Sequence, residues 1–296
     1  MTAPELRVDS HHHFWTIRRH DYGFLRPERA VWWRDYLPAD LAPHLARHDI
    51  AGTVVVQAAP TVAETEWLLD LVADVAFVWG VVGWLDLTVP PEQLRRALGR
   101  LRQHPKFVGV RPMLQDLDDD AWICRPEVLR NLKVLADEKI PFDLLVYPRH
   151  LPHVLKALAA VPHLHAVLDH LGKPPIAARA FEPWATDVAR LAAFPDVWCK
   201  ISGMVTEADW PHAQVADIVP YVRHVVDVFG PQRLMFGSDW PVCLEAASYD
   251  EVVTLAELTL SAAVGTEERA AIFGANACRF YELPRPKAST EKPGEL

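Results

Sequence analysis

The stretch TVVVQAAPTVAETEWLLDLV, residues 53–72, shows how this chain is built. It opens with a continuous apolar run, which is typical of a strand covered on both faces in a parallel sheet. Thr61 and Glu64 then have the spacing of a capping box, and the apolar positions that follow predict a helix. A strand, a short turn and a helix therefore follow one another directly.

The same alternation continues along the chain. Short apolar runs that predict strands recur at residues 6–9, 53–57, 77–84, 107–111, 142–147, 165–169, 197–201 and 234–237. Helical patterns lie between them, and two of these begin at Pro91 and Pro126, because proline is tolerated in a first turn. This order predicts a single (β/α)8 barrel of the α/β class. We expect the barrel to span residues 1–283, with a flexible, proline-rich tail at 284–296.

Composition narrows the kinds of partner. The 296 residues carry 39 acidic and 30 basic side chains, a net charge of −9, without a lysine or arginine stripe, so nucleic acid is not expected. The chain has no apolar run long enough to cross a membrane, and its first residues do not resemble a signal peptide. Four widely spaced cysteines fit a reducing compartment. We expect a cytoplasmic protein that binds a small molecule; assembly into a homo-oligomer stays open.

Candidate catalytic residues follow three of the predicted strands. Active sites of such barrels lie at the carboxyl ends of the strands. His11 and His13 come after the first strand and, being two residues apart, point to the same face. His170 follows the sixth strand and Asp239 the eighth. Because a barrel closes on itself, these side chains are expected to converge.

Such a set suits two kinds of chemistry. It can hold a divalent metal, usually zinc, or act without metal when imidazoles polarise a carbonyl and the carboxylate takes a proton from water. Taken singly, His170 could be a core histidine and Asp239 a helix N-cap before Pro241. Their joint position at strand ends favours a shared catalytic site.

Further strand-end side chains are candidates for binding the substrate: Trp15, Gln57, Arg111, Tyr147, Lys200 and Trp240. Arg111 and Lys200 could instead form structural ion pairs with Asp143 or Asp169. The long loop 14–41 is rich in aromatic residues. Long loops often bind ligands, so this loop is expected to form one wall of the pocket, to cover the barrel mouth or a subunit contact, or to do both.

Several motifs resemble the amidohydrolase superfamily, and within it the sugar-lactonase-like branch of L-fuconolactonases, L-rhamnonolactonases and 4-sulfomuconolactonases. They are VDSHHHFW at 8–15, VQAAP at 56–60, GVR at 109–111, LDHLGKP at 168–174, KISG at 200–203, GSDWPV at 237–242 and NACRFY at 276–281. The resemblance implies a hydrolase that opens a small lactone, most closely an aldonolactone such as L-fuconolactone or L-rhamnonolactone. It also implies that Asp239 activates water while His11, His13 and His170 polarise the carbonyl.

The chain departs from the superfamily's binuclear members. These bridge two metals with a lysine or glutamate, commonly from the fourth strand, and add a histidine from the fifth, where this chain has Arg111 and Asp143. Relatives often have a histidine after Gly-Val-Arg, where this chain has Pro112. The resemblance therefore implies either no required cofactor or one loosely bound zinc ion, whose ligands are His11, His13, His170 and Asp239.

Three alternatives stay open at the level of sequence. One is a metal-dependent decarboxylase of the same superfamily, in which Asp9 would be an additional ligand. Another is a lactonase for a carboxylated lactone from aromatic degradation, bound by Arg111 and Lys200. The last is a sugar-acid binding protein without activity, although the presence of Asp239 as a base argues against it.

Overall fold

The computed structural model describes residues 5–210 and 212–284. Eight strands form one sheet in sequence order, and each pairs in parallel with the next. Strand β1 meets the segment after β8 through a parallel bridge between His12 and Trp240, which closes the sheet. The predicted (β/α)8 barrel is confirmed. The tail expected at 284–296 lies outside the described residues, apart from Pro284.

The strands and helices alternate as predicted. The strands are β1 (Arg7–His12), β2 (Ile50–Val56), β3 (Val78–Gly83), β4 (Phe107–Val110), β5 (Phe142–Leu144), β6 (Ala166–Leu168), β7 (Val197–Ile201) and β8 (Leu234–Phe236). The helices are α1 (Pro38–Arg47), α2 (Val62–Leu71), α3 (Pro91–Leu101), α4 (Pro126–Asp137), α5 (Leu151–Ala160), α6 (Trp184–Ala192), α7 (Met204–Glu207), α8 (Val215–Phe229), α9 (Tyr249–Ser261), α10 (Thr266–Ala270) and α11 (Asn276–Phe280). None of the helices in the described part of the chain is long and apolar enough to span a membrane.

The start of α2 differs in one respect from the predicted capping box. The Thr61 side chain accepts a hydrogen bond from the backbone of Glu64, as expected for an N-cap. The Glu64 carboxylate does not return to Thr61; it accepts from the backbone N–H of Ala58 at 2.9 Å. Glu64 therefore ties α2 to the loop that leaves β2.

Loop 14–41 packs onto the barrel mouth. Phe14, Trp15, Tyr22, Trp32 and Tyr36 are buried. The Trp15 indole N–H lies 3.2 Å and 2.9 Å from the carbonyls of Trp32 and Arg34. The ring of Tyr36 meets Trp240 edge-on, with centroids 5.2 Å apart. The expectation that the aromatic residues of this loop cover the barrel is confirmed.

Candidate active site

Asp239 lies where β1 and the end of β8 meet, and its side chain is 5% exposed. Its Oδ1 is 3.3 Å from Nε2 of His13, 3.8 Å from Nε2 of His11 and 3.9 Å from Nε2 of His170. Its backbone N–H donates to the carbonyl of His11 at 2.8 Å, which fixes the segment after β8 against β1. The structure thus brings the four predicted residues together.

His13 presents a lone pair to this carboxylate when its ring is neutral. Its Nδ1 is 2.7 Å from the carbonyl of Val56, which can only accept, so the ring proton belongs on Nδ1. Nε2 then faces Oδ1 of Asp239 without a proton between them. In this tautomer Nε2 of His13 offers its lone pair to a cation beside Asp239.

His170 is positioned by an unusual turn. His170, Leu171, Gly172 and Lys173 all have positive φ, between 51° and 71°. Its Nδ1 lies 2.8 Å from the hydroxyl of Ser202. Burial lowers the pKa of His170 to about 4, so the ring is neutral near pH 7.

Charges around His11 and Asp239 set their protonation. Burial and then Lys200 lower the pKa of His11 well below its usual value. Burial acts to raise the pKa of Asp239, but the surrounding histidines outweigh it and hold that pKa below its ordinary range. Asp239 is therefore ionised at neutral pH.

A buried ion-pair network lies beneath the histidines. Lys200 Nζ is 2.5 Å from Asp143 and 3.0 Å from Asp169, and it contacts Nδ1 of His11 at 3.1 Å. Nη1 of Arg111 lies 3.3 Å from Asp169 and 3.3 Å from Nε2 of His11. Both cations thus form the structural ion pairs that the sequence left open.

A cavity of about 340 Å³ opens above Asp239. It is lined in part by His13, Arg111, Tyr147, His170 and Asp239, whereas His11 is fully buried beneath it. A larger space of about 850 Å³ adjoins it and shares wall residues with it: Phe24, Arg29, Ala58, Met113 and Asp116.

Four of the six predicted substrate contacts do not line this cavity, and each has a physical reason. Trp15 and Trp240 are buried within the aromatic packing of loop 14–41. The Gln57 amide donates to the carbonyl of Arg111. Lys200 lies one layer deeper, in the ion-pair network. Only Arg111 and Tyr147 of that set reach the cavity wall.

The structure adds polar wall residues that sequence reasoning missed: Arg29, Gln115, Asp116, Lys173, Thr206, Glu207 and Glu245. Lys173 lies inside the motif at 168–174, but only the left-handed turn directs it to the cavity. Glu207 belongs to the short helix α7, past the end of β7, where strand periodicity gives no signal.

The chain is similar to known proteins over most of its length. The profile of the family described as Amidohydrolase matches residues 8–283. The chain belongs to this amidohydrolase family. It is 43% identical to an L-fucono-1,5-lactonase of Burkholderia ambifaria over 95% of this chain and 97% of that protein. It is 41% identical to an L-fucono-1,5-lactonase of Burkholderia multivorans over the same shares of the two chains.

A solved structure shows the same architecture. An amidohydrolase from Burkholderia multivorans with bound zinc superimposes with a TM-score of 0.89 at 41% identity, covering 94% of this chain and all of that one. Members of the amidohydrolase family can thus bind a metal, and this chain has a His/Asp cluster that offers ligands for one.

Proposed function

We propose that this amidohydrolase hydrolyses a neutral sugar lactone, such as the 1,5-lactone of L-fuconic acid or a related L-rhamnonolactone. The observation that carries the proposal is a buried, ionised carboxylate among three imidazoles at the floor of a small cavity. The two relatives of 43% and 41% identity, both named L-fucono-1,5-lactonase, support it.

In the proposed mechanism Asp239 is the general base. Its Oδ1 faces the imidazoles, and its Oδ2 has no hydrogen-bond partner among the described residues, which leaves Oδ2 for a water molecule. Water attacks the lactone carbonyl carbon while Asp239 accepts the proton. The intermediate then collapses, the bond to the ring oxygen breaks, and the same proton passes to that oxygen. The product is a hydroxy acid, whose ionisation releases a proton to solution.

His170 and Arg111 are placed to stabilise the charge that develops on the carbonyl oxygen. In this mechanism the Ser202 hydroxyl donates to Nδ1 of His170, which leaves a proton on Nε2, the atom nearer to Asp239. Arg111 adds a cationic donor from the cavity wall. His13 and the buried His11 pack against Oδ1 of Asp239 and limit where that carboxylate can lie, so both are positioning residues in this mechanism.

The charges of the wall favour a neutral substrate over a carboxylated one. Among the described residues, three cationic Lys or Arg side chains line the cavity, and each has a carboxylate partner: Arg111 with Asp169, Lys173 with Glu207 and Arg29 with Glu245. A substrate carboxylate would have to compete with these partners. We therefore prefer a neutral aldonolactone to an acidic lactone.

The residues also fit a metal ion. Donor atoms of His11, His170 and Asp239 all lie within 4.8 Å of one another, and His13 adds the lone pair described above. A zinc ion held there would polarise the carbonyl and acidify water. The guanidinium of Arg111 lies 3.3 Å from Nε2 of His11. Its positive charge repels a metal ion at this position and weakens the binding of that ion. We propose that hydrolysis does not require the metal and that zinc binds loosely, as a single ion.

The decarboxylase alternative is less supported. It would use Asp9 as a further metal ligand, but the carboxylate of Asp9 is already engaged. It accepts from the backbone of Ser238 at 2.9 Å and from the hydroxyl of Tyr249 at 3.0 Å. Asp9 therefore holds the segment after β8 against β1.

The test measures the rate at which the protein hydrolyses each lactone of a panel. A pH indicator reports the protons released, at weakly acid pH, where spontaneous hydrolysis is slow. Neutral aldono-1,5-lactones are expected to be hydrolysed with a higher kcat/KM than carboxylated lactones of similar size. Preference for the carboxylated lactones would contradict the argument from charge. Turnover of neither class would contradict lactone hydrolysis itself.

A further inference from the structure

Lys173 and Glu207 form an ion pair on the wall of the catalytic cavity. Lys173 follows β6 and Glu207 ends α7, so two different barrel loops bring them together. Nζ of Lys173 lies 3.3 Å from Oε1 of Glu207, and the two side chains are 13% and 17% exposed. The hydrolytic steps proposed above use neither of them.

The backbone that carries Lys173 is held in an unfavourable conformation. Residues 170–173 are consecutively left-handed, and three of them have side chains. A left-handed backbone is unfavourable for a residue with a Cβ, so the conformation of His170, Leu171 and Lys173 is strained. The strained turn places both His170 and Lys173 on the wall of one cavity. The position of Lys173 relative to the catalytic histidine is therefore fixed by the same turn.

The pair leaves hydrogen-bonding capacity unused. An ammonium has three N–H donors, whereas Lys173 faces one carboxylate oxygen and the ring of Tyr147, 5.0 Å away. Within the described residues Oε2 of Glu207 and the hydroxyl of Tyr147 have no hydrogen-bond partner. Thr206 donates to the carbonyl of Gly203, which leaves its oxygen free to accept. All four side chains line the cavity.

Donors and acceptors thus stand side by side on one wall, and the charge of the ammonium is balanced by its partner. A carboxylate ligand would meet Glu207, and an apolar ligand would leave both charges desolvated without compensation. Adjacent hydroxyl groups suit this wall, because each hydroxyl can donate to a carboxylate and accept from an ammonium.

We propose that Lys173 and Glu207, flanked by Thr206 and Tyr147, form a subsite that binds neighbouring ring hydroxyl groups of the lactone. The inference rests on the proposed lactonase function and deepens it, since it assigns the selection of polyhydroxylated substrates to a site separate from Asp239. Lys173 donates to one hydroxyl oxygen, and Glu207 accepts from the next.

The test compares two six-membered lactones, a polyhydroxylated aldono-1,5-lactone and unsubstituted δ-valerolactone. The measured quantity is the ratio of their kcat/KM values, which cancels effects on the reacting groups. Lys173→Met and Glu207→Gln are each expected to lower this ratio by about 10- to 100-fold, as for a lost hydrogen bond to a charged group. Methionine is unbranched like lysine and is shorter only by the terminal ammonium, so it leaves the backbone strain unchanged.

Lys156→Met is the matched control, because Lys156 is an exposed lysine on α5 away from the cavity, and it should leave the ratio unchanged. A second readout does not need turnover: inhibition by a 1,5-anhydroalditol, which has the same hydroxylated ring without the carbonyl, should weaken in both cavity variants.

The outcomes separate the two proposals. An unchanged ratio together with unchanged inhibition by the anhydroalditol would overturn the hydroxyl subsite and leave lactone hydrolysis intact. An equal fall with both lactones would overturn it as well, because the pair would then act on the reaction or the fold. Absence of lactone turnover in the wild-type protein would instead refute the proposed function.

Discussion

Glu64 is a fully buried carboxyl between α2 and the end of β2. One of its oxygens accepts from Ala58, and the other has no partner among the described residues. Burial raises its pKa from 4.5 to about 8, so the folded protein keeps a proton that the unfolded chain loses above about pH 4.5. The unfolded state then binds fewer protons, and stability falls as pH rises from 4.5 towards 8.

We expect Glu64→Gln to remove this penalty. Glutamine can still accept from Ala58 but does not ionise, so the variant should be more stable than the wild type at pH 8, by a few kcal/mol at most. Below about pH 4.5 the two proteins should differ little. Denaturant unfolding at both pH values measures this, with the exposed Glu66→Gln on the same helix as control. An equal difference at both pH values would refute the ionisation argument.

At this scale, sequence reasoning found the residues that converge but could not tell how deep each one lies. The two-residue spacing of His11 and His13 correctly placed both against Asp239, because alternation along a strand gives the face of a side chain. Alternation does not show how deep inside the barrel a side chain lies. Lys200 therefore looked like a contact with the substrate, whereas it is buried beneath His11.

Among the secondary-structure elements, the turn after β6 and the start of α7 contact each other at Gly203. Gly203 has a φ of +64°, and a Cβ there would lie 2.7 Å from ring atoms of His170. Glycine is thus required both by the left-handed backbone and by the close approach of the imidazole. This contact, together with Ser202, fixes the position of the His170 ring.

Gly203→Ala is expected to displace His170 and lower kcat/KM for the lactone by about 10- to 100-fold, the cost of a misplacement of about 1 Å in an active site. Gly99→Ala is the matched control, since a Cβ at that helical position would meet no atom within 4 Å. That variant should keep full activity and gain about 0.5–1 kcal/mol of stability. Full activity of Gly203→Ala would show that the position of His170 is not critical.

The number, type and order of the elements could be predicted, whereas several strand ends could not. Strand β1 runs on through His12 because it pairs with β2 on one side and with the segment at Trp240 on the other. Strands β5 and β6 stop at Leu144 and Leu168, before the polar ends expected from sequence. Strand ends depend on how far the neighbouring strands run, which no local pattern records.

At the scale of the whole molecule, the barrel joins a carboxylate and imidazoles from its first, sixth and eighth strand ends with a guanidinium from its fourth. The positive charge of that guanidinium weakens the binding of a metal ion beside it. We expect chelator treatment to leave most of the lactonase activity and the purified protein to hold less than about one zinc ion per chain. Elemental analysis beside activity before and after chelation measures both. Complete inactivation, reversed by stoichiometric zinc, would contradict the metal-independent mechanism.

In the proposed mechanism Asp239 activates water for the hydrolysis of a neutral sugar lactone. The decisive experiment measures kcat/KM for an aldono-1,5-lactone, with proton release as the signal. It compares the wild-type protein with Asp239→Asn and with the control Asp227→Asn, which lies on the exposed face of α8. Asparagine keeps the shape of the side chain but cannot accept the proton, so Asp239→Asn should lose at least ~100-fold while the control keeps the wild-type value. Near wild-type turnover by Asp239→Asn would show that Asp239 is not the general base.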